Sequence, residues 1–418
     1  MKRRALLAGA VAAIAATALL AGGVARSGDD ASTAPTTRQL VRLGFRELDA
    51  ARRTGEPSHY TRSERALRAA LGEDADDVEA LVGLAELENS RHRFREGLAL
   101  ARRAQRGAPA TAVTYSAVGD SLVELGRYGD AFRTFDRLGR LKPGLNAYSR
   151  ISYARELLGH TAAAVAAMQL AVDAAGGSGE PAAWAHTQLG KLYFSRGRVR
   201  AAAREYRTAL ASFPGYVHAL DALAHAEAAR ARIARAIELE RRAADQTPLP
   251  QFVGTLGDLY RLAGRPRRAR EQYELVAVID RLFVANGVAT DLELALFNVD
   301  HGVRFADSLD RARRAQRERP SIDADDALAW ALARNGRCGD ALRFSRHALR
   351  LGTMDAAKFF HRGMIERCLG RDAAAKRWLR RALRLNPHFS LVWAPVAREA
   401  VESSASLSPS SQSSLRSR

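Results

Sequence analysis

The chain repeats itself, and that constrains its fold more than any other feature. From about Val78 to Pro387, a small residue, a glycine turn, a second small residue and a proline return in the same order, at a period of roughly 34 residues. The clearest copy runs from Ala112 to Leu145. Here Tyr115 precedes Val118 and Gly119, Gly126-Arg127 makes a turn, Tyr128, Ala131, Phe135 and Leu138 follow, and Pro143 closes the unit. Apolar residues spaced three and four apart on both sides of the turn predict two short amphipathic helices. A hairpin of that size cannot bury its apolar face alone. It buries it against the next copy, so the chain is expected to be a helical solenoid.

Small residues recur where the first helix of a pair must approach the second, as at Ala85, Gly119, Gly190, Ala224, Gly257 and Gly363. A second small column lies in the following helix at Gly97, Ala131, Ala202, Ala236, Ala269 and Ala375. Glycines at 126, 159, 197, 264, 336 and 370 supply the turns. Prolines at 109, 143, 214, 248, 320 and 387 stop the second helices, because proline cannot continue a helix. These columns, kept over about nine copies, resemble the tetratricopeptide repeat. The resemblance implies an all-α solenoid of antiparallel helical hairpins forming a right-handed superhelix. It implies a binding scaffold without naming the partner, since function lives in the site rather than in the fold.

The flanks differ from the repeats. Lys2, Arg3 and Arg4 precede an uncharged run from Ala5 to Ala25. Residues 1–25 are read as a signal peptide cut after Ala25, with a retained membrane anchor as the alternative. Either reading places the body outside the cytoplasm. Arg3-Arg4 leaves the export route open. Residues 26–39 read as a polar linker, and 40–77 as an irregular first hairpin broken at Gly55-Glu56-Pro57. Residues 78–387 hold the regular copies, 388–401 a capping helix, and 402–418 a disordered Ser-rich tail. Two departures stand out within the repeats. Leu296 occupies a small-residue position, so the copy from Ala289 to Pro320 is expected to pack less closely. Leu282 to Val288 are extra residues that either lengthen a helix or form a loop.

No zinc-protease, CxxC, phosphate-loop or nucleophile-elbow spacing occurs, so no catalytic residue and no small-molecule substrate are expected. Histidines are scattered. The one local group is His218, Asp221 and His225 on a single helix face, read as a polar stripe, with three metal ligands as the competing reading. No metal and no cofactor are therefore expected. Cys338 and Cys368 are the only cysteines. Stacked hairpins bring their helix ends together, which leaves pairing open in an oxidising exterior, but two free thiols are the favoured reading.

In the repeat family, ligands lie on the concave face lined by the first helix of each pair. Carried over to this chain, that face includes Glu86, Asp120, Tyr153, Trp184, Lys191, Phe194, His218, Asp221, His225, Asp258, Trp330 and Phe360. Acidic residues outnumber basic ones along it, although the chain carries a net charge of +19. The arginine excess therefore falls on the second helices, as at Arg241-Arg242, Arg267-Arg268, Arg313-Arg314 and Arg380-Arg381. The expected partner is a basic or polar protein segment gripped by aromatic anchors at Tyr153, Trp184, Phe194, Trp330 and Phe360. The arginines read as a solvated outer face, with contact to an anionic envelope surface as the alternative. Export argues against nucleic acid.

Overall fold

A computed structural model describes residues 35–402, so the expected signal segment, most of the linker and the Ser-rich tail lie outside the described residues. Among the described residues there are 21 helices and no strands. We number them α1 (Thr37–Thr54), α2 (Ser58–Glu73), α3 (Val78–Ser90), α4 (Phe94–Gly107), α5 (Ala112–Glu124), α6 (Tyr128–Leu141), α7 (Leu145–Leu157), α8 (Thr161–Ala174), α9 (Gly179–Phe194), α10 (Val199–Ser212), α11 (Val217–Ala228), α12 (Ile233–Gln246), α13 (Pro250–Leu262), α14 (Pro266–Ala285), α15 (Asp291–Asp300), α16 (Phe305–Glu318), α17 (Ile322–Arg334), α18 (Cys338–Ala348), α19 (Ala356–Cys368), α20 (Asp372–Leu385) and α21 (Trp393–Glu402). None of them is long and apolar enough to cross a membrane. The fold is an all-α solenoid of helical hairpins.

The local rules of the repeat are visible at the helix ends. Six outer helices stop two residues before a proline, at Gly107, Leu141, Ser212, Gln246, Glu318 and Leu385, since proline also disfavours helical geometry in the residue ahead of it. The inner-helix turns need a left-handed residue. Gly126 supplies one at φ 70°, but two copies place His92 and Ala231 there at φ 61° and 59°, a conformation that favours glycine.

The structure divides into two compact units. The smaller contains residues 35–147 and Arg281–Ala289. Its first helix begins at Thr37, earlier than the linker boundary at Gln39, because Thr36 caps it. The Gln39 amide donates to Thr36 Oγ1 at 3.3 Å and the Thr36 amide donates to Gln39 Oε1 at 2.8 Å, a capping box. Small residues here allow close approach. A Cβ at Gly119 would collide with the Phe135 ring, which is itself 1% exposed. The extra residues 282–288 do two things. They extend α14 to Ala285 and then turn at Asn286-Gly287, so that the Ala289 amide donates to the Arg91 carbonyl at 2.9 Å.

The larger unit contains Tyr148–Asp280 and residues 290–402. The same close approach recurs, with Gly190 over Tyr206, Gly257 over Tyr273 and Gly363 over Leu379. Leu296 is buried, and at the matching register of α16 the chain carries Ala312 in the same core cluster, so bulk has moved from the outer helix to the inner one. Distant hairpins of this unit also touch. Thr353 Oγ1 donates to the Leu157 carbonyl, and Arg196 donates to the Met354 carbonyl at 3.3 Å. Cys338 and Cys368 form a disulfide with Cα atoms 6.1 Å apart. This corrects the reading of two free thiols: the start of α18 and the end of α19 are packed side by side. The final helix begins at Trp393, not at His388, because Ser390 Oγ accepts from the Trp393 amide at 3.0 Å and stops the preceding turn.

Candidate functional site

The inner helices α3, α5, α7, α9, α11, α13, α15, α17 and α19 carry every residue expected on the binding face. These helices are buried almost all round, whereas the outer ones bury one stripe. In α5, for instance, every residue from Ser116 to Glu124 is buried. The expected acidic positions are consequently far from solvent: Glu86 is 4% exposed, Asp120 9% and Asp221 8%.

Three expected aromatic anchors are core residues. Trp184, Trp330 and Phe360 are 3%, 2% and 0% exposed, and a ring with no accessible surface cannot grip a ligand. This corrects the anchor role given to them. Phe360 stacks on Trp393 with centroids 5.6 Å apart, and Trp330 meets Trp393 edge to face at 5.5 Å. Helical spacing marks a ring as inward-facing but cannot tell an inner core from an inner groove. Tyr153, Lys191, Phe194 and His218 remain half-buried and present accessible surface.

Polar partners between neighbouring inner helices were the main feature hidden from the sequence. Trp330 and Trp393 both donate their indole N–H to Asp300 Oδ1, at 2.9 and 3.0 Å. Arg334 lies over the rings of Phe305, Trp330 and Trp393, a set of cation–π contacts. Lys358 Nζ donates to Asp323 at 2.5 Å and to Asp355 at 3.2 Å. Burial alone would lower the Lys358 ammonium, but the carboxylates of Asp323 and Asp355 outweigh it and hold its pKa well above the ordinary lysine range. Asp326 contacts His361 Nδ1 at 2.9 Å. Asp323 and Asp326 therefore lock α17 to α19, in addition to serving the start of their own helix.

Asp258 is similar. Its carboxylate accepts from Tyr273 Oη at 2.8 Å and lies 2.8 Å from His301 Nε2. Burial pushes this carboxyl up, but the His301 charge and the hydrogen bonds from His301 and Tyr273 pull it down further, so the net pKa is lowered.

The group His218, Asp221 and His225 does not stay together. His218 turns its ring to Tyr216 and Phe252, with centroids 5.4 and 5.6 Å away. In its place α12 brings Glu240, so that one donor atom each from Asp221, His225 and Glu240 lie within 4.8 Å of one another. A period of 3.6 residues could not find Glu240, because it comes from the other helix of the hairpin. The available signal was a charged residue standing at a position that other copies fill with Phe135, Tyr206 or Tyr273.

The outer helices carry the positive charge at the surface. Arg241, Arg242, Arg267, Arg268, Arg314, Arg380 and Arg381 are exposed, and Arg313 is half-buried.

No curated protein matches the chain. Among solved structures, a thermophilic tetratricopeptide-repeat protein of Thermus thermophilus is 22% identical with a TM-score of 0.41, covering 47% of this chain and 100% of its own. A tetratricopeptide-repeat protein of Parabacteroides merdae is 15% identical with a TM-score of 0.41, covering 60% of this chain and 98% of its own. The human IFIT1 dimer, solved with PPP-AAAA, is 15% identical with a TM-score of 0.46, covering 83% and 84%. Residues 187–249, from within α9 to the end of the α11–α12 hairpin, match the tetratricopeptide-repeat family model, and proteins of this family typically act as non-catalytic interaction scaffolds. The same hairpin, glycine turn and close-packed small residue recur before and after the matched segment, so the likeness to the tetratricopeptide repeat is not confined to residues 187–249.

Proposed function

We propose that this chain is an exported or membrane-tethered, non-catalytic scaffold that takes a basic or polar protein segment on the inner helices α7, α9 and α11 of its larger unit. The observation that carries this reading is that Tyr153, Lys191, Phe194 and His218, on α7, α9 and α11 of the larger unit, keep accessible aromatic and hydrogen-bonding surface, while the exposed arginines lie on the outer helices. Tyr153 on α7 and Phe194, one helical turn after Lys191 on α9, are half-buried and are the aromatic grips that remain. The Cys338–Cys368 bond supports the extracytoplasmic location, since such bonds persist in oxidising compartments.

A pull-down with the full chain, against envelope and secreted extract at low and high salt, tests the reading. A protein retained at high salt by the native chain, and lost from the Tyr153→Ala and Phe194→Ala variants, is the expected result. Retention of only anionic polymer or lipid, and only at low salt, would refute it. That outcome would make the exposed arginine face the working surface.

A further inference from the structure

We propose that Asp221, His225 and Glu240 form a site for one divalent transition cation of the zinc class, held inside the α11–α12 hairpin. The position of Glu240 is the first reason. In neighbouring hairpins the same register of the outer helix holds a ring or an aliphatic group beneath an inner-helix glycine: Phe135, Tyr206, Tyr273 and Leu379. In this hairpin the register holds a carboxylate that is 0% exposed. This copy therefore gives up an apolar contact for an oxygen donor, and it does so beside two further donors on α11.

The second reason is His225. It is 9% exposed, and its Nε2 is buried with no hydrogen-bond partner. That nitrogen lies 3.8 Å from Asp221 Oδ1, too far for a hydrogen bond. A zinc ion bonded at about 2.0–2.2 Å to nitrogen and oxygen sets its donors roughly 3–4 Å apart. The observed separation is therefore of the size that a shared cation imposes, and the third donor falls within 4.8 Å. Asp221 and His225 are one helical turn apart on α11 and so present to the same side.

The donor set also selects the metal. One imidazole and two carboxylates suit zinc and its first-row neighbours, whereas calcium requires six to eight oxygens. Three protein ligands leave a coordination position for water or for a group from a bound partner. No thiolate competes, because both cysteines are in the disulfide.

The test uses the full chain without reductant. It is stripped with chelator, loaded with Zn2+, desalted and assayed for metal by elemental analysis, with far-UV circular dichroism to confirm folding. About one zinc per chain is expected. Loss of one ligand should weaken binding by more than the roughly 10–100-fold that removing an outer-shell partner costs, so His225→Gln and Glu240→Gln should retain none. Co2+ in place of zinc should give visible absorption that His225→Gln removes. If Glu240→Gln loses its helical signal, Asp221→Asn takes its place in the comparison. A native chain that retains no zinc, or folded variants that retain it undiminished, would overturn the proposal.

Discussion

The Cys338–Cys368 bond can be broken by reduction or by substitution, and its contribution can be worked out in advance. The two residues are 30 apart in sequence. In the chain-entropy account, closing a loop of that size removes freedom from the unfolded chain worth about 3–4 kcal/mol. Replacing both cysteines by alanine should lose that amount. Alanine is chosen because Cys338 is 4% exposed and a serine there would bury a hydroxyl. Urea unfolding is the assay, followed by tryptophan fluorescence. Trp330 and Trp393 are buried in the hairpins that the bond joins and in the helix that covers them, so the signal reports the affected region. With a urea dependence of about 1–3 kcal/mol per molar, the midpoint should fall by at least roughly 1 M. Reductant should produce the same fall in the native chain and none in the double variant. The reasoning fails if reductant leaves the native midpoint unchanged, or if alkylation under denaturing conditions without reductant labels two thiols.

Three further substitutions probe the packing and the buried pairs. Gly119→Ala should destabilise by roughly 0–2 kcal/mol, the difference between about 1–3 kcal/mol of overpacking against Phe135 and about 1 kcal/mol of helix propensity gained. Gly129→Ala, where the nearest atom would be Arg133 Nη1 at 3.6 Å, should instead stabilise by about 0.5–1 kcal/mol; equal effects in thermal unfolding would contradict the close-approach account. Asp258→Asn leaves His301 buried without its carboxylate and should cost about 3 kcal/mol near neutral pH. Because the folded pKa of Asp258 is lowered, its contribution is complete above the ordinary aspartate value of 3.8 and is lost as pH falls through the folded pKa. The gap in melting temperature between native chain and variant should therefore shrink below about pH 4, and a gap that widens there would contradict the assignment.

The repeat made most of the fold legible because each copy restates the same steric rule. Proline at 143 ends α6, glycine at 126 turns the chain, and glycine at 119 admits Phe135. Boundaries shifted only where a side chain capped a backbone group, as Thr36 and Ser390 do. The disulfide was not decided by spacing, since two cysteines on adjacent hairpins fit either state until their helix ends are placed. The binding face was the least legible part. Position in the repeat tells which residues point inward, but Trp330 and Tyr153 share that property and differ in exposure.

What separates them is the neighbouring repeat. In a solenoid each inner helix packs against the neighbouring copy, so a side chain's role depends on what it meets there as well as on its own identity. Asp258 is committed by His301 and Tyr273, Asp326 by His361, Asp323 by Lys358, and Asp300 by two indoles. From α13 onward these inner polar positions are thus tied to the stability of the stack, and a ligand that displaced them would leave buried charges unpaired, at several kcal/mol each. The residues Tyr153, Lys191, Phe194 and His218 of α7, α9 and α11 are only half-buried and keep accessible surface. A partner can be recognised there without dismantling the scaffold, and that is where the proposed binding must be sought.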